Sequence, residues 1–484
     1  MRLGELPGEA WLVAQNLADA ATGLLDPTLR LGVTGLARSG KTVFITALVN
    51  ALVEGGRLPL LRAYREGRLA SARIAPQPDD AVPRFEVEDH LAALIGARRW
   101  PESTRRVSEL RVVVDYASNS IFRRRTGNSR LTLDIVDYPG EWLLDLGLLG
   151  QSYAEWSRRT IAASRRGSRA ALAVPWHAQL ITLDPAEPED EAVARRAAEL
   201  FTAYLRACRE ERYSLSTLPP GRFLMPGELE GSPALTFAPL ELPEDYVARA
   251  GTLGAMMQRR YEAYVDHVVR PFFREHFARL DRQIVLVDVL AALNAGPDAV
   301  ADLEAALADV LEAFRHGRNT WLTGLFRPRV DRVLFVATKA DHLHHMSHDR
   351  LEAILRRLVE RAAKKAAYAG AEVDVVAIAA VRATREGTAG RDELPVIIGT
   401  PEKGGFFGSH HFDGEEEFAV YPGELPADPE VALRAGGFRG HGETGDGDLR
   451  FPRFRPPRLE PGTRRLPHIR LDRAMEFLIG DKLA

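Results

Sequence analysis

The spacing of apolar residues along the 484-residue chain divides it into blocks of two kinds. Short runs rich in Val, Ile and Leu predict buried strands, and longer segments with apolar residues three or four positions apart predict helices. The predicted strands lie at 29–33, 109–117, 129–137, 170–175, 283–290, 330–338 and 372–380. The predicted helices lie at 43–55, 187–212, 244–280, 298–314 and 349–367. Because strands alternate with helices, the pattern predicts an α/β fold around a mainly parallel sheet.

Two segments interrupt this alternation. The stretch 57–105 is polar and rich in Arg, Pro and Gly, so it predicts a long connection with a helix near 86–97. The stretch 177–282 has only helical periodicity and predicts a helical insertion. The chain is then expected to comprise an N-terminal helix (1–28), the first part of the α/β domain (29–176), the insertion (177–282), the second part of the α/β domain (283–390) and a C-terminal region (391–484). The C-terminal region is expected to contain short β segments, a mobile stretch near 435–450 and a docked closing helix.

Composition narrows the range of functions. The 64 Lys and Arg residues nearly balance the 67 Asp and Glu residues, and a net charge of −3 does not support general binding to nucleic acid or to an anionic membrane. The single cysteine, Cys208, excludes an internal disulfide and fits a reducing compartment. The chain lacks a secretion signal and a run of roughly 20 apolar residues. We therefore expect a cytoplasmic protein without a transmembrane segment. The amphipathic stretch 9–25 is predicted to pack on the rest of the protein, and a peripheral contact with the inner membrane is the alternative.

The stretch GLARSGKT at 35–42 carries the strongest chemical signal. It fits the pattern G-x-x-x-x-G-K-[ST], in which backbone N–H groups surround a phosphate at the start of a helix. A predicted strand precedes it and a predicted helix follows it, which is the context that such a loop needs. Lys41 would neutralise the terminal phosphates, and the hydroxyl of Thr42 would bind Mg²⁺.

Two further motifs add the remaining parts of a nucleotide site. DYPG at 137–140 gives D-x-x-G, in which the carboxylate of Asp137 can hold the water shell of Mg²⁺ and the backbone N–H of Gly140 can meet a γ-phosphate. In TKAD at 338–341, the carboxylate of Asp341 can accept hydrogen bonds from both N1–H and N2–H₂ of guanine, a pair of donors that adenine lacks. The stem of Lys339 can cover the base. Only six residues of the chain are lysines, and two of them stand in the three motifs: Lys41 in GLARSGKT and Lys339 in TKAD.

In this order the three motifs resemble a translation-factor-class GTPase domain. The predicted fold class is therefore an α/β P-loop NTPase with a mainly parallel sheet, a helical insertion and a small, partly disordered C-terminal region. More narrowly, GLARSGKTVFITALVNALV, DYPGEWLLDL, TKADHLHH and VRATRE resemble the bacterial YcjX family of P-loop NTPases, which is linked to envelope-stress regulons. The resemblance spans most of the chain. It implies that GTP and GDP bind with Mg²⁺, that GTP is hydrolysed, and that an unidentified protein partner responds to a stress-linked switch.

The resemblance also implies roles for individual residues. The nucleotide-binding set is Gly35, Arg38, Ser39, Gly40, Lys41, Thr42, Val43, Lys339, Asp341, Ala380 and Val381. Ala380 and Val381 stand where the Ser-Ala signature of guanine-binding loops is usual, and that signature is absent. The expected magnesium ligands are Thr42, Asp137 and a residue of the first switch, for which Thr104 is chosen and Ser103 is the alternative.

Four residues are expected to take part in catalysis: Lys41, Gly140, Glu141 and Arg38. Glu141 follows D-x-x-G, where a Gln often orients the attacking water. A carboxylate there could accept a proton from that water, but it would also repel the γ-phosphate, so slow intrinsic turnover is expected. Arg38 could reach the transferred phosphate from inside the loop, or it could form an ion pair facing solvent or another domain.

Other interpretations stay open at this point. They are ATP hydrolysis on the same fold, a nucleotide-gated adaptor with negligible intrinsic turnover, and a small-molecule kinase, for which no acceptor-binding pattern is visible. His342, His344, His345 and His348 form a cluster that could bind a metal, although no nearby cysteine completes a zinc set. The run Arg123–Arg125 is predicted to be a solvated hairpin tip or, less favoured, a contact for an anionic partner.

Overall fold

A seven-stranded sheet forms the centre of the computed structural model, in the order β2-β3-β4-β1-β5-β6-β7. The structure describes residues 27–36, 38–102, 106–119, 129–210, 212–316, 330–365, 371–390, 393–404, 406–407, 410–434 and 452–484. The strands are β1 (Thr28–Gly35), β2 (Leu69–Ala75), β3 (Ser108–Tyr116), β4 (Ser129–Asp137), β5 (Arg282–Val287), β6 (Arg332–Ala337), β7 (Glu372–Ala377), β8 (Arg385–Ala389), β9 (Leu394–Gly399), β10 (Phe406–Phe407), β11 (His410–His411) and β12 (Phe418–Val420). The α-helices are α1 (Lys41–Val53), α2 (Arg62–Arg65), α3 (Val87–Leu91), α4 (Gly140–Leu144), α5 (Tyr153–Ser164), α6 (Gly167–Leu172), α7 (Val174–Leu180), α8 (Glu191–Cys208), α9 (Gly221–Leu224), α10 (Leu253–Tyr264), α11 (Arg270–Glu275), α12 (Val289–Ala295), α13 (Pro297–His316), α14 (His348–Lys365), α15 (Pro429–Leu433) and α16 (Leu471–Ile479).

Five neighbouring strands of the sheet run parallel, namely β4, β1, β5, β6 and β7. The pair β3–β4 is an antiparallel hairpin, as predicted, and β2 adds an antiparallel edge. Val33 of β1 is in register with Asp137, the last residue of β4. The carboxyl ends of the parallel strands therefore meet at one edge of the sheet, where ligand sites of such sheets form. This architecture confirms the predicted α/β fold class.

Apolar layers cover both faces of the sheet. In β5, Ile284 and Leu286 belong to a core that also includes α1 and α16, whereas Val285 and Val287 belong to a second core formed with α12, α13 and α14. Successive residues of a strand point to opposite faces, so a strand that is apolar on both faces must be covered on both. The central strands are thus fully buried, and their loops are held on a rigid support.

The second core continues into a helical region between β4 and β5. An aromatic cluster fills this region, and the rings of Trp156 and Tyr261 stack with centroids 5.1 Å apart. Phe237 meets Trp156 edge-on at 5.4 Å. Ser152 and Glu155 form a capping box at the start of α5, and such a box satisfies backbone N–H groups that the helix leaves unpaired. The region therefore shares one continuous core with this face of the sheet.

The predicted strand at 170–175 is wrong. These residues lie in α6 and α7, and Trp176 and Leu180 are buried one turn apart. The segment is rich in alanine, the strongest helix former, and Pro175 stands in the first turn of α7, where its missing N–H costs nothing. A short apolar run alone could not separate a buried strand from a short helix.

Strand β2 lies inside the segment predicted as an irregular connection. Among the described strands it pairs with β3 alone, and all seven of its residues are exposed or half-buried. Its sequence, LASARIA, lacks the apolar alternation typical of a half-buried strand, because an edge strand needs few buried side chains. The helix predicted near 86–97 is confirmed by α3 and the π-helical turn Ala92–Gly96.

After β7 the chain forms a small antiparallel sheet in the order β12-β9-β8, which begins before the expected boundary at residue 391, and it later forms the docked helix α16. Leu471, Met475 and Leu478 of α16 are buried in the core that contains α1. Arg282 of β5 donates hydrogen bonds to Asp481 at 2.5 and 2.7 Å, which fixes the end of the chain. The predicted docking of the closing helix is confirmed.

Four sequence predictions fall wholly or almost wholly outside the described residues. They concern the N-terminal helix at 1–28, the first-switch residues Ser103 and Thr104, the Arg123–Arg125 hairpin tip and the stretch near 435–450. Among the helices that the structure describes, none has the length and apolarity needed to cross a membrane.

Replacing Met475 by Ala should destabilise the protein, because the side chain is 1% exposed and its removal leaves a cavity between α16 and the sheet. The expected loss in the free energy of unfolding is about 2–5 kcal/mol. Urea denaturation followed by circular dichroism measures it. The control is Lys482→Ala, at a partly exposed position, which should change stability by less than about 0.5 kcal/mol. Equal stability of the two variants would contradict the docking of α16.

Candidate functional site

The loop between β1 and α1 has the backbone conformation of a phosphate cradle. Gly40 adopts a left-handed conformation with φ 79° directly before α1. A Cβ on Gly35 would lie 1.9 Å from Oγ of Ser39, so only glycine fits there. Among the described residues, no side chain caps α1. The first N–H groups of α1 are therefore not engaged by a capping side chain, and they form the partial positive charge that binds an anion.

Lys41 and Asp137 form an ion pair at this end of the site. The side chain of Asp137 is 1% exposed, and its Oδ2 is buried without a hydrogen-bond partner among the described residues. The hydroxyl of the buried Thr42, which lies 3.4 Å from the carbonyl oxygen of Glu102, belongs to the same site. An unsatisfied carboxylate oxygen and a hydroxyl are the oxygen donors that Mg²⁺ takes in proteins, so the residues fit this ion.

The D-x-x-G segment lies directly against the phosphate loop. A Cβ on Gly140 would lie 2.0 Å from the carbonyl oxygen of Gly35, so the two backbones touch. Glu141 follows, and its Oε1 lies 2.6 Å from Nη2 of Arg209, the residue after α8. The residue predicted to orient water is thus held in an ion pair by the helical region.

At the other end, the TKAD loop follows β6. Lys339 has a left-handed backbone with φ 61°, and its Nζ lies 2.5 Å from Oδ2 of Asp288. The other oxygen of Asp288 accepts a hydrogen bond of 3.0 Å from the backbone N of Ala291 and so caps α12. Asp288 therefore both caps a helix and binds a motif lysine.

Asp341 is buried and held in one orientation. Its Oδ2 accepts a hydrogen bond of 2.8 Å from the backbone N of Ala383, and its carbonyl oxygen accepts one of 2.5 Å from Oγ1 of Thr384. Both donors lie in the segment after β7, where the Ser-Ala signature is absent. A backbone N–H thus positions the carboxylate in place of a serine side chain.

A single cavity of about 510 Å³ joins the two ends. Most of the predicted site residues line it: Gly35, Arg38, Ser39, Gly40, Lys41, Thr42, Val43, Gly140, Glu141, Lys339, Asp341, Ala380 and Val381. Asp137 forms an ion pair with Lys41, which lines the cavity, and Thr104 lies outside the described residues. The structure therefore brings together three motifs that are separated by about 300 positions in the chain.

Among the lining residues that the motif analysis missed, four carry aromatic rings or guanidinium groups: Trp100, Arg209, Arg453 and Phe454. Nε1 of Trp100 donates a hydrogen bond of 2.6 Å to the carbonyl oxygen of Phe454, which joins the long connection before β3 to the C-terminal region. None of the four belongs to a recognised motif. Only tertiary contacts bring them to the cavity, so local sequence patterns gave no signal.

The predicted histidine cluster separates into different environments. His342 lines the cavity and meets Phe454 edge-on, and burial lowers the pKa of its imidazole. Ligand atoms of His344, His345 and Glu386 lie within 4.8 Å of one another, and Nδ1 of His345 is 2.8 Å from Oε2 of Glu386. His348 contacts the carbonyl oxygen of Leu343 instead. The four histidines do not converge on one centre.

Comparison with known families decides the relationship. The model of the YcjX-like family, DUF463, matches residues 29–483. The chain belongs to the YcjX-like family. Its similar proteins include the Ras-like GTPase YcjX of Escherichia coli (strain K12), 41% identical over 95% of this chain and 97% of that protein. The Ras-like GTPase YcjX of Shewanella oneidensis (strain MR-1) is 35% identical over 95% of both chains. The resemblance seen in the sequence is confirmed, and it extends over the insertion and the C-terminal region of this YcjX-like protein.

A buried carboxyl group lies just beyond Glu141. Asp145 is 3% exposed, and it accepts hydrogen bonds from the hydroxyl of Tyr264 at 2.5 Å and from the backbone N of Gly221 at 2.7 Å. Burial raises the pKa of Asp145 to about 7, although both hydrogen bonds act in the opposite direction. The group therefore ties the D-x-x-G segment to the helical region by a contact that depends on pH.

The raised pKa predicts a specific pH dependence of stability. A carboxyl group whose pKa is higher in the folded state than in the unfolded state contributes its full stabilisation when the pH is below the unfolded-state pKa. This contribution is lost as the pH rises to the folded-state pKa of about 7. In Asp145→Asn the side chain no longer titrates, and its amide group keeps one hydrogen-bond acceptor and adds a hydrogen-bond donor. Relative to the wild type, the variant should therefore gain stability between pH 4 and 7, by up to about 1.4 kcal/mol per pH unit. Urea unfolding across this range measures the difference, and parallel curves would contradict the prediction.

Proposed function

We propose that this YcjX-like protein binds GTP with Mg²⁺ and hydrolyses it to GDP and phosphate. One observation carries the proposal: a single cavity has the phosphate loop with Lys41 at one end and the buried carboxylate of Asp341 at the other. The names of the two relatives, both Ras-like GTPases, agree with it. The cavity volume of about 510 Å³ lies within the range typical of small-molecule sites.

The phosphate end supplies binding and electrostatic stabilisation. Backbone N–H groups around Gly40 would bind the phosphates, and the ammonium group of Lys41 would share its charge between them and Asp137. Thr42 and Asp137 would hold Mg²⁺, which neutralises charge on the β- and γ-phosphates. The phosphates would thus meet groups that are already in place, so little reorganisation is needed during reaction.

The base end supplies specificity. The carboxylate of Asp341, held by Ala383, would accept the two donors on the guanine edge, and the stem of Lys339 would cover the ring. The same carboxylate would face an acceptor, N1, on adenine. ATP hydrolysis on this fold is therefore the weaker alternative.

Hydrolysis requires a water molecule in line with the γ-phosphate, next to Gly140. The backbone N–H of Gly140 would meet the γ-phosphate. The ion pair with Arg209 restrains the side chain of Glu141 through its Oε1. This restraint and the like charge of the γ-phosphate both support slow turnover in the absence of a partner.

The contacts of the D-x-x-G segment also support a switch. α4 and the residues after it pack on the insertion through Glu141 and Asp145. A nucleotide that moves Gly140 would therefore move or strain the insertion, which could present a changed surface to a protein partner. An adaptor that hydrolyses GTP only to reset itself is the second candidate. The stress-linked role and the cytoplasmic location stay predictions.

Lys41→Ala should weaken GTP binding by about two orders of magnitude, because it removes a charge from the phosphates and leaves Asp137 buried without its cation. Fluorescent-nucleotide titration and phosphate release, each with GTP and with ATP, measure the effect. Lys364→Ala, at an exposed position on α14, is the matched control and should behave like the wild type. Undiminished GTP hydrolysis by Lys41→Ala would remove the phosphate-loop assignment.

Asp341→Asn should change the base specificity of the site from guanine to xanthine. The amide oxygen can keep the hydrogen bond from Ala383, which places the amide nitrogen where the second carboxylate oxygen stood. That nitrogen repels the donors of guanine but can donate to the 2-carbonyl of xanthine. GTP affinity should fall at least about tenfold, while affinity for xanthosine triphosphate rises. A variant that still prefers GTP over ATP as strongly as the wild type would rule out the guanine assignment.

A further inference from the structure

Arg209 reaches the phosphate end of the cavity from the helical insertion. It is the first residue after α8, and its side chain is 25% exposed. It lines the cavity together with Gly140, Glu141, Ser216 and Leu36. The insertion thus places a partly buried arginine side chain in the same part of the cavity as the glycine that would meet the γ-phosphate.

The guanidinium group forms an ion pair with Glu141, whose side chain is 11% exposed. Arrival of a γ-phosphate would change this balance, because it adds negative charge next to both groups. The phosphate repels the carboxylate of Glu141 and attracts the guanidinium of Arg209. A guanidinium fork also binds phosphate oxygens by two parallel hydrogen bonds, which favours the exchange of partners.

We propose that Arg209 is a catalytic residue that leaves Glu141 and binds the γ-phosphate during hydrolysis. A bond forms between the water oxygen and the γ-phosphorus, and the bond from that phosphorus to the bridging oxygen breaks. GDP keeps the bridging oxygen, and both protons of the water leave with inorganic phosphate. Arg209 stabilises the charge that develops on the oxygens, as an arginine finger does. The inference rests on the proposed GTPase function and adds that the insertion completes the site without an arginine from another protein.

Arg38 is the competing cation. It lies in the phosphate loop with φ 59°, and its side chain is exposed. Arg209 is better placed, because its side chain is 25% exposed and lines the same part of the cavity as Gly140. Electrostatic stabilisation by a fixed cation is stronger where water is excluded.

The first test compares Arg209→Ala with Arg212→Ala. Arg212 lies three residues further on, is 69% exposed and pairs with Glu210, so it is the matched control. Single-turnover GTP hydrolysis should fall about 10³-fold in Arg209→Ala and stay unchanged in Arg212→Ala. GDP affinity, measured by fluorescent-nucleotide titration, should change less than threefold in both. Hydrolysis at the wild-type rate in Arg209→Ala would overturn the proposal.

Two further measurements separate a catalytic role from a purely structural one. Arg209→Lys keeps the positive charge that faces Glu141 but loses the fork, so it should fold normally and still hydrolyse GTP at least tenfold more slowly. Free guanidinium should restore part of the activity of Arg209→Ala, and GDP with aluminium fluoride should bind the wild type but not this variant. A fully active Arg209→Lys, or normal aluminium fluoride binding by Arg209→Ala, would show that Arg209 only tethers the insertion. If the wild type itself fails to hydrolyse GTP, the proposed function fails instead.

Discussion

A buried ion pair between Lys41 and Asp137 is the interaction on which the phosphate end of this YcjX-like protein depends. A charge removed from water must be paired, because an unpaired one costs several kcal/mol. The parallel pairing of β1 with β4 places Val33 in register with Asp137, so the loop that follows β1 and leads to Lys41 starts beside this carboxylate. The base end repeats the arrangement, with Lys339 bound to Asp288 after β5. Both motif lysines are thus positioned by an aspartate at the end of a neighbouring strand.

The segment after Asp137 connects this chemistry to the helical insertion. Gly140 touches the phosphate loop, Glu141 binds Arg209, and Asp145 accepts hydrogen bonds from Gly221 and Tyr264. The guanidinium group of Arg222 also lies 3.2 Å from the centroid of the Trp142 ring. A shift of the glycine is not easily absorbed locally, because Glu141, Trp142 and Asp145 are each held by the insertion. Close-packed contacts of this kind convert a small movement at a phosphate into a larger rearrangement.

The sequence predicted those parts of the fold whose signal is local. β1, the hairpin β3–β4 and the strands β5 to β7 are runs of Val, Ile and Leu buried on both faces, and the loops at their ends carry the three motifs. β2 was missed because an exposed edge needs no apolar alternation, and α6 and α7 were mistaken for a strand because a short alanine-rich run fits both. Arg209, Trp100 and Phe454 reach the cavity by contacts between segments far apart in the chain, and no local pattern encodes such contacts. Asp341 was identified from its motif, whereas its support by Ala383 required the structure.

The most direct measurement is a crystal structure of the protein with Mg²⁺ and a non-hydrolysable GTP analogue. The account predicts that the triphosphate lies on the amides of residues 40–42, that Lys41 lies between it and Asp137, and that the guanine edge meets Asp341. An analogue bound elsewhere, or a base that does not contact Asp341, would contradict the account.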